Sequence, residues 1–192
     1  MGLIEHVHDL ESPDVNDRFN AVTALWKLGP AAAPAVPKIA ALLGDIDGVN
    51  VKTADGREVM ITVAERASLA LAAIGESAAG AVIEELKKDN AVSAIHCVRA
   101  LTAPALARRA PVSVLGERLM RPKVSPAMSA ALCDVLAAAM QSTDETHRNA
   151  ARSALKMASV MGRVPAKHLA TLAGTTTAAP AVRAAAGASA PV

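Results

Sequence analysis

Residues 17–29 read Asp-Arg-Phe-Asn-Ala-Val-Thr-Ala-Leu-Trp-Lys-Leu-Gly, and Pro30 follows. Ala21, Ala24, Leu25 and Leu28 stand at offsets 0, 3, 4 and 7, the spacing that gathers side chains into one stripe along an α-helix. The Gly-Pro pair then stops the helix, because Gly reaches backbone angles closed to other residues and Pro cannot continue the hydrogen-bond ladder. The stripe returns as Ala67, Ala70, Leu71 and Ile74 before Gly75, and as Cys97, Ala100 and Leu101 before Pro104. It returns again as Met128, Ala131, Leu132 and Val135, and as Ala151, Ala154, Leu155 and Ala158 before Gly162. A short helix with one narrow apolar stripe is marginal alone, so a chain that repeats the stripe buries each copy against the next and reads as all-α.

Composition agrees. The chain has 192 residues, 52% of them hydrophobic and 20% charged, enough apolar material for one sizeable core. There is one Phe, one Trp and no Tyr, so Ala and Leu fill the pattern, and small side chains suit closely stacked helices. No apolar run reaches the roughly 18 residues of a membrane span. The opening Met-Gly-Leu-Ile-Glu-His lacks the basic flank of a secretory signal, and His6 removes the myristoylation pattern. The expectation is a cytoplasmic protein with no membrane partner. Cys97 and Cys133 sit among apolar neighbours on predicted helices, as reduced core thiols do.

The stripes and their Gly stops resemble the HEAT-repeat family, specifically the short HEAT-like repeats of the phycobilisome-lyase type, whose core runs Val-Arg-x-x-Ala-x-x-Ala-Leu-x-x-Leu-Gly. The resemblance covers about 14–162. It implies a right-handed α-solenoid of about four to five antiparallel helix pairs, with first helices convex and second helices concave. In that frame the concave face is lined from 34–43, 77–88 and 112–121, and Lys38, Glu84, Lys88, Arg118 and Arg121 point out of it. Together with Lys123 of the basic half, these are the candidate binding residues.

Between Ala21 and Ala67 the spacing is 46 residues, against 30 between Ala67 and Cys97. A repeat of roughly 30 therefore carries an insertion of about 15. Across 48–61 the period changes to two: Val49, Val51 and Thr53 alternate, Asp55-Gly56 is a type I′ turn signal, and Val59, Ile61 and Val63 alternate beyond it. A β-hairpin near 48–63 is predicted, with Val51 and Met60 on one face and Val59 and Ile61 on the other. It should lie against the adjoining helices through one face or stay mobile until a partner orders it. Val51, Val59, Met60 and Ile61 are candidate binding residues there, because insertions are where repeat proteins graft recognition.

The remaining elements follow from stop and start signals. A short helix opens the chain over 3–10, and Ser12 with Pro13 caps the helix carrying the first stripe. A second helix covers 34–43. Thr62 with Glu65 forms a capping box, helix 77–88 follows, and Asp89 caps a helix to about Ala103. An irregular segment lies between Pro104 and Pro111; then come a short helix with Val112, Leu115, Leu119 and Met120, a helix from Ser125-Pro126, a capping box at Ser142 and Glu145, and a last helix from Pro165 to Ala173. The domain is 1–173; 174–192, rich in Ala, Thr and Pro, is a flexible tail.

No catalytic or metal constellation emerges. His6 and His8 are two apart, so they leave a helix in different directions, and Cys97 beside His96 fails by the same geometry. HEAT-like deoxyhypusine hydroxylases carry His-Glu pairs for iron, and no His-Glu dipeptide occurs here. No cofactor is expected. Charge is more informative: 1–96 hold 8 Lys+Arg against 14 Asp+Glu, net −6, while 97–192 hold 12 against 4, net +8. The expected function is a non-catalytic protein-binding scaffold or adaptor, whose partner is another protein or an oppositely charged second copy. The alternatives are a nucleic-acid binder using the basic half, as HEAT-like alkylpurine glycosylases do, and an enzyme or enzyme subunit resembling bilin lyases.

Overall fold

The computed structural model describes residues 2–88 and 90–174. Helices α1 (Leu3–Asp9), α2 (Val15–Leu28) and α3 (Val36–Ala41) precede strands β1 (Gly48–Lys52) and β2 (Glu58–Thr62). Then follow α4 (Val63–Ile74), α5 (Ala79–Lys87), α6 (Ala91–Leu101), α7 (Pro104–Ala107), α8 (Val112–Met120), α9 (Pro126–Ala139), α10 (Glu145–Val160) and α11 (Ala166–Gly174). Most of the chain is helical, with one small antiparallel sheet. No helix of the described residues is long and apolar enough to cross a membrane. The tail expected from 174 lies, beyond Gly174, outside the described residues.

Helices meet their neighbours in chain order. α2 lies on α4, α4 on α6 and α6 on α9; α3 lies on α5; α8 and α9 both meet α10; and α11 lies on α9 and α10. The stripes form these contacts: Leu25, Leu71, Leu101, Leu132 and Leu155 are all fully or almost fully buried. Small residues set the separations, since a Cβ added at Gly116 of α8 would stand 3.3 Å from that of Ala154 on α10, tighter than ordinary carbon contact. Leu28 departs from the expected stripe at 45% exposed. It is the last residue of α2, and Gly29, at φ +55°, swings the chain away there.

Caps differ from the expectation by a residue or two, and the difference is informative. Asp14, not Ser12, caps α2: its Oδ1 accepts the Asn16 N–H at 2.7 Å, while Ser12 Oγ accepts the Asp14 N–H at 3.1 Å. Asp144, not Ser142, caps α10, accepting from the N–H groups of Thr146 and His147, while Ser142 Oγ accepts the Asp144 N–H at 3.2 Å. Arg18 Nη1 donates to the carbonyls of Ser12 and Pro13 at 2.9 and 3.1 Å. Arg148 Nη1 donates to those of Ser142 and Thr143 at 2.7 and 2.8 Å. A Ser-x-Asp-x-x-x-Arg module is thus built twice, the Ser and Asp settling orphan N–H groups and the Arg settling carbonyls of the incoming turn. Asp89, expected to cap the next helix, lies outside the described residues; Asn90 accepts from Val92 and Ser93 N–H instead. The Thr62–Glu65 capping box is as expected, and Ser125 caps the helix expected from Ser125-Pro126.

The single helix expected over 34–43 is broken. Pro30, Pro34 and Pro37 lack the N–H of an α-helical ladder. The chain therefore takes a 3-10 helix over Gly29–Ala35, one short turn of α3 and another 3-10 turn over Leu42–Gly44. The segment expected to be irregular after Pro104 contains the single turn of α7.

The hairpin exists, but in a different register. Val49 pairs with Ile61, Asn50 with Met60 and Val51 with Val59. The Gly56 N–H donates to the Thr53 carbonyl at 2.9 Å, the Thr53 N–H to the Arg57 carbonyl at 2.8 Å, and Gly56 has φ +83°. Gly56 is therefore the left-handed residue of a bulge behind a type I turn, not part of a two-residue type I′ turn. That slip moves Val51 from the face of Met60 to the face of Val49, Val59 and Ile61. Val49, Val51 and Ile61 pack on the helical core, and the strands meet α2 and α4.

Candidate interaction groove

A concavity lies where α8 hands over to α9. Val112, Leu115 and Leu119 bury one stripe of α8. Pro122 then holds Arg121 extended, at φ −64° and ψ 144°, as a residue before proline must be. Residues 121–125 therefore run as a rim until Ser125 caps α9. Arg163 fixes this rim from 42 residues away, donating from Nη1 to the Leu119 carbonyl at 2.8 Å and to that of Arg121. A cation on the last carbonyls of a helix also complements the negative end of its dipole.

The groove so formed encloses about 530 Å³, within the range of ligand-binding clefts. Ala91 and Ile95 of α6 and Met128 of α9 supply an aliphatic wall, and Arg118, Arg121 and Lys123 supply cations. Ile95 is 52% exposed although it is a large aliphatic residue. A smaller depression of about 180 Å³ continues past Arg118 and Arg121 to Lys87, Val114 and Glu117. Among the described residues that line the two, Glu117 is the one acid.

Three sequence candidates are thus brought together: Arg118, Arg121 and Lys123. Arg118 corrects the expectation that it points out of a concave face. It is only 9% exposed and its Nη2 donates to the Leu86 carbonyl, so its guanidinium forms part of the wall. The reason was readable: Arg118 falls three residues after Leu115, on the buried stripe. The other candidates lie elsewhere. Lys38 Nζ meets Glu11 at 2.8 Å, Glu84 meets Lys87 at 2.7 Å, and Lys88 meets the buried Glu85 at 2.6 Å. In the hairpin, Val51 and Ile61 are spent on the core, while Val59 and Met60 remain 43% and 64% exposed. The contribution of Arg163 had no sequence signal, being a contact across the fold.

Burial pushes the Cys97 thiol up to about 12, with Glu85 adding to the rise and Arg118 opposing it. Burial likewise raises Cys133 to about 11. Neither is a thiolate near neutrality. Burial lowers the affinity of His96 for a proton, and its adjacent position on α6 does not aim it at Cys97. Among the described residues no three His, Cys, Asp or Glu side chains converge as metal ligands.

No protein-family model matches the chain, and no curated protein matches it. Among solved structures it is similar to the crystal structure of an engineered protein, at 18% identity over 92% of this chain and 87% of that one, with a TM-score of 0.41. Agreement at that level carries no argument about fold or function.

Proposed function

We propose that this protein is a non-catalytic interaction scaffold: a HEAT-like stack of helix pairs whose α6–α8–α9 groove takes an acidic, aliphatic segment of a partner protein in the cytoplasm. The observation that carries the reading is the convergence of Arg118, Arg121 and Lys123 on an aliphatic wall. Such a wall accepts Leu-, Ile- or Val-like side chains, and a cationic rim selects acids beside them. The stacked-pair architecture is supported by the chain-order contacts of α2, α4, α6 and α9 and by the twice-built capping module. A nucleic-acid partner fits less well, because single strands gain much of their affinity by stacking on aromatic rings. Among the groove residues there is no aromatic side chain.

The test is an anisotropy titration with three labelled probes: a peptide alternating Glu and Leu, its Gln-Leu counterpart, and an oligothymidylate of equal charge. The Glu-Leu peptide should bind most tightly, with an affinity that falls as salt rises. Equal binding of the Gln-Leu peptide would remove the role of the cations, and preference for oligothymidylate would replace a protein partner with a nucleic acid.

A further inference from the structure

Arg66, on α4, reaches across to α2. Its guanidinium carbon stands 5.0 Å from the centroid of the Phe19 ring and 5.2 Å from that of Trp26, so both aromatic rings of the chain attend one cation. Stacking satisfies the faces of a guanidinium but not its N–H edge. The Arg66 Nε is buried without an acceptor among the described residues. Its terminal nitrogens, which are not buried, meet no carboxylate or carbonyl there either. Thr23 falls between Phe19 and Trp26 on the same face of α2, and its Oγ1 is also buried without a partner.

An arginine that merely braces helices places its N–H edge on protein oxygens, and several described residues do so. Arg18, Arg118, Arg148 and Arg163 all donate to backbone carbonyls. Arg66 does not, although it is half-buried and burial lowers its affinity for its proton. Glu65, the adjacent acid, is committed to Arg99 at 2.8 Å. Trp26 is 37% exposed, so the site opens to solvent on that side. A desolvated cation with an unsettled N–H, and an unsettled hydroxyl on the helix face that carries its two rings, describe a place prepared for an acceptor. A planar fork with covered faces prefers an acceptor with two oxygens in its own plane. The acid surplus of residues 1–96 opposes anions only weakly, since fields fade beyond about 8 Å at physiological ionic strength.

We infer that Arg66, held over Phe19 and Trp26 beside the Thr23 hydroxyl, is a receptor for a two-oxygen anion, a carboxylate or a phosphate group. The site stands on observations separate from the groove.

Trp26 is the one tryptophan of the chain, so its emission reports the site directly. The protein is titrated with sodium acetate, inorganic phosphate and a hexaglutamate peptide, each against sodium chloride at matched ionic strength. A saturable emission change beyond the chloride control is expected. Saturation by phosphate or acetate identifies a small-anion site; saturation by hexaglutamate alone identifies an acidic side chain of a protein partner. The change should vanish in Arg66→Gln and weaken by about tenfold or more in Arg66→Lys, which keeps the charge but loses the fork. It should weaken in Thr23→Val. Emission that follows ionic strength alone overturns the inference. If Arg66→Gln fails to fold, unchanged affinity in both Arg66→Lys and Thr23→Val overturns it equally.

Discussion

The two halves of the chain use their cations differently. In the N-terminal half, Arg18 meets Asp45 and Asp47, Lys38 meets Glu11, Arg57 meets Asp55, and Lys87 and Lys88 meet Glu84 and Glu85. In the C-terminal half, Arg148 and Arg163 donate to backbone carbonyls, while Arg99, Arg109 and Lys167 meet Glu65, Glu76 and Asp134. A carboxylate cancels the charge it binds, whereas a carbonyl fixes the side chain and leaves the charge in place. The charges of Arg148 and Arg163 are fixed in this way without being cancelled, and the C-terminal half, with 12 Lys+Arg against 4 Asp+Glu, keeps the net positive charge that an anionic partner requires. In the N-terminal half Arg18, Lys38, Arg57, Lys87 and Lys88 are settled on carboxylates, and Arg66, which is not, is the cation that the tryptophan titration addresses.

If the halves share one helical core and differ only in surface chemistry, their core leucines should behave alike. Leu71→Ala and Leu132→Ala, both at fully buried positions, should each cost about 2 to 5 kcal/mol through the cavity left behind. Chemical denaturation of both variants checks this; a loss under about 0.5 kcal/mol in either would separate that half from the shared core.

Among the described residues, the hairpin belongs to the N-terminal half alone. Replacing residues 49–61 with a Gly-Ser linker should cost about 2 to 3 kcal/mol, because Val49, Val51 and Ile61 leave the core. A melting temperature unchanged by the replacement would make the hairpin a mere excursion.

The paired capping modules sharpen the comparison further. Arg148→Ala should cost about 1 to 2 kcal/mol, the value of its charge-assisted bonds to two carbonyls. Arg18→Ala should cost more, because Arg18 also holds Asp45 at 2.8 Å with both side chains largely buried. That excess should shrink in high salt, and the carbonyl contribution should not.

A smaller effect lies between the halves, at Glu65 and Arg99. Burial raises the Glu65 pKa, but the Arg99 guanidinium and the Thr62 N–H outweigh it and hold the carboxyl below its ordinary 4.5. The stabilisation is therefore present above pH 4.5 and is lost as pH falls through the lower folded value. Arg99→Gln should flatten that acid limb in stability measured against pH.

The helical class, most helix positions and the hairpin's existence were legible, because periodicity and Gly or Pro stops act locally. What failed depended on choices between near-equal local options. Asp14 and Ser12 can both cap a helix, and the one whose neighbour serves as its own supporting acceptor won. Asp55-Gly56 suits two turns, and the bulged one turned Val51 toward the core. Arg118 was visible on the α8 stripe by spacing, yet its charge suggested solvent. Arg121 and Lys123 were legible as basic residues; that Ile95 and Met128 stand beside them follows from packing across the fold.

The most direct test of the groove compares it with the other exposed candidate surface. The Glu-Leu peptide is titrated into the native chain, into Arg121→Glu/Lys123→Glu, and into Val59→Ser/Met60→Ser, each shown by far-UV dichroism to be folded. Charge reversal in the groove should weaken binding by about tenfold or more, and the hairpin change should leave it intact. Binding lost in the hairpin variant and retained in the groove variant would contradict the account.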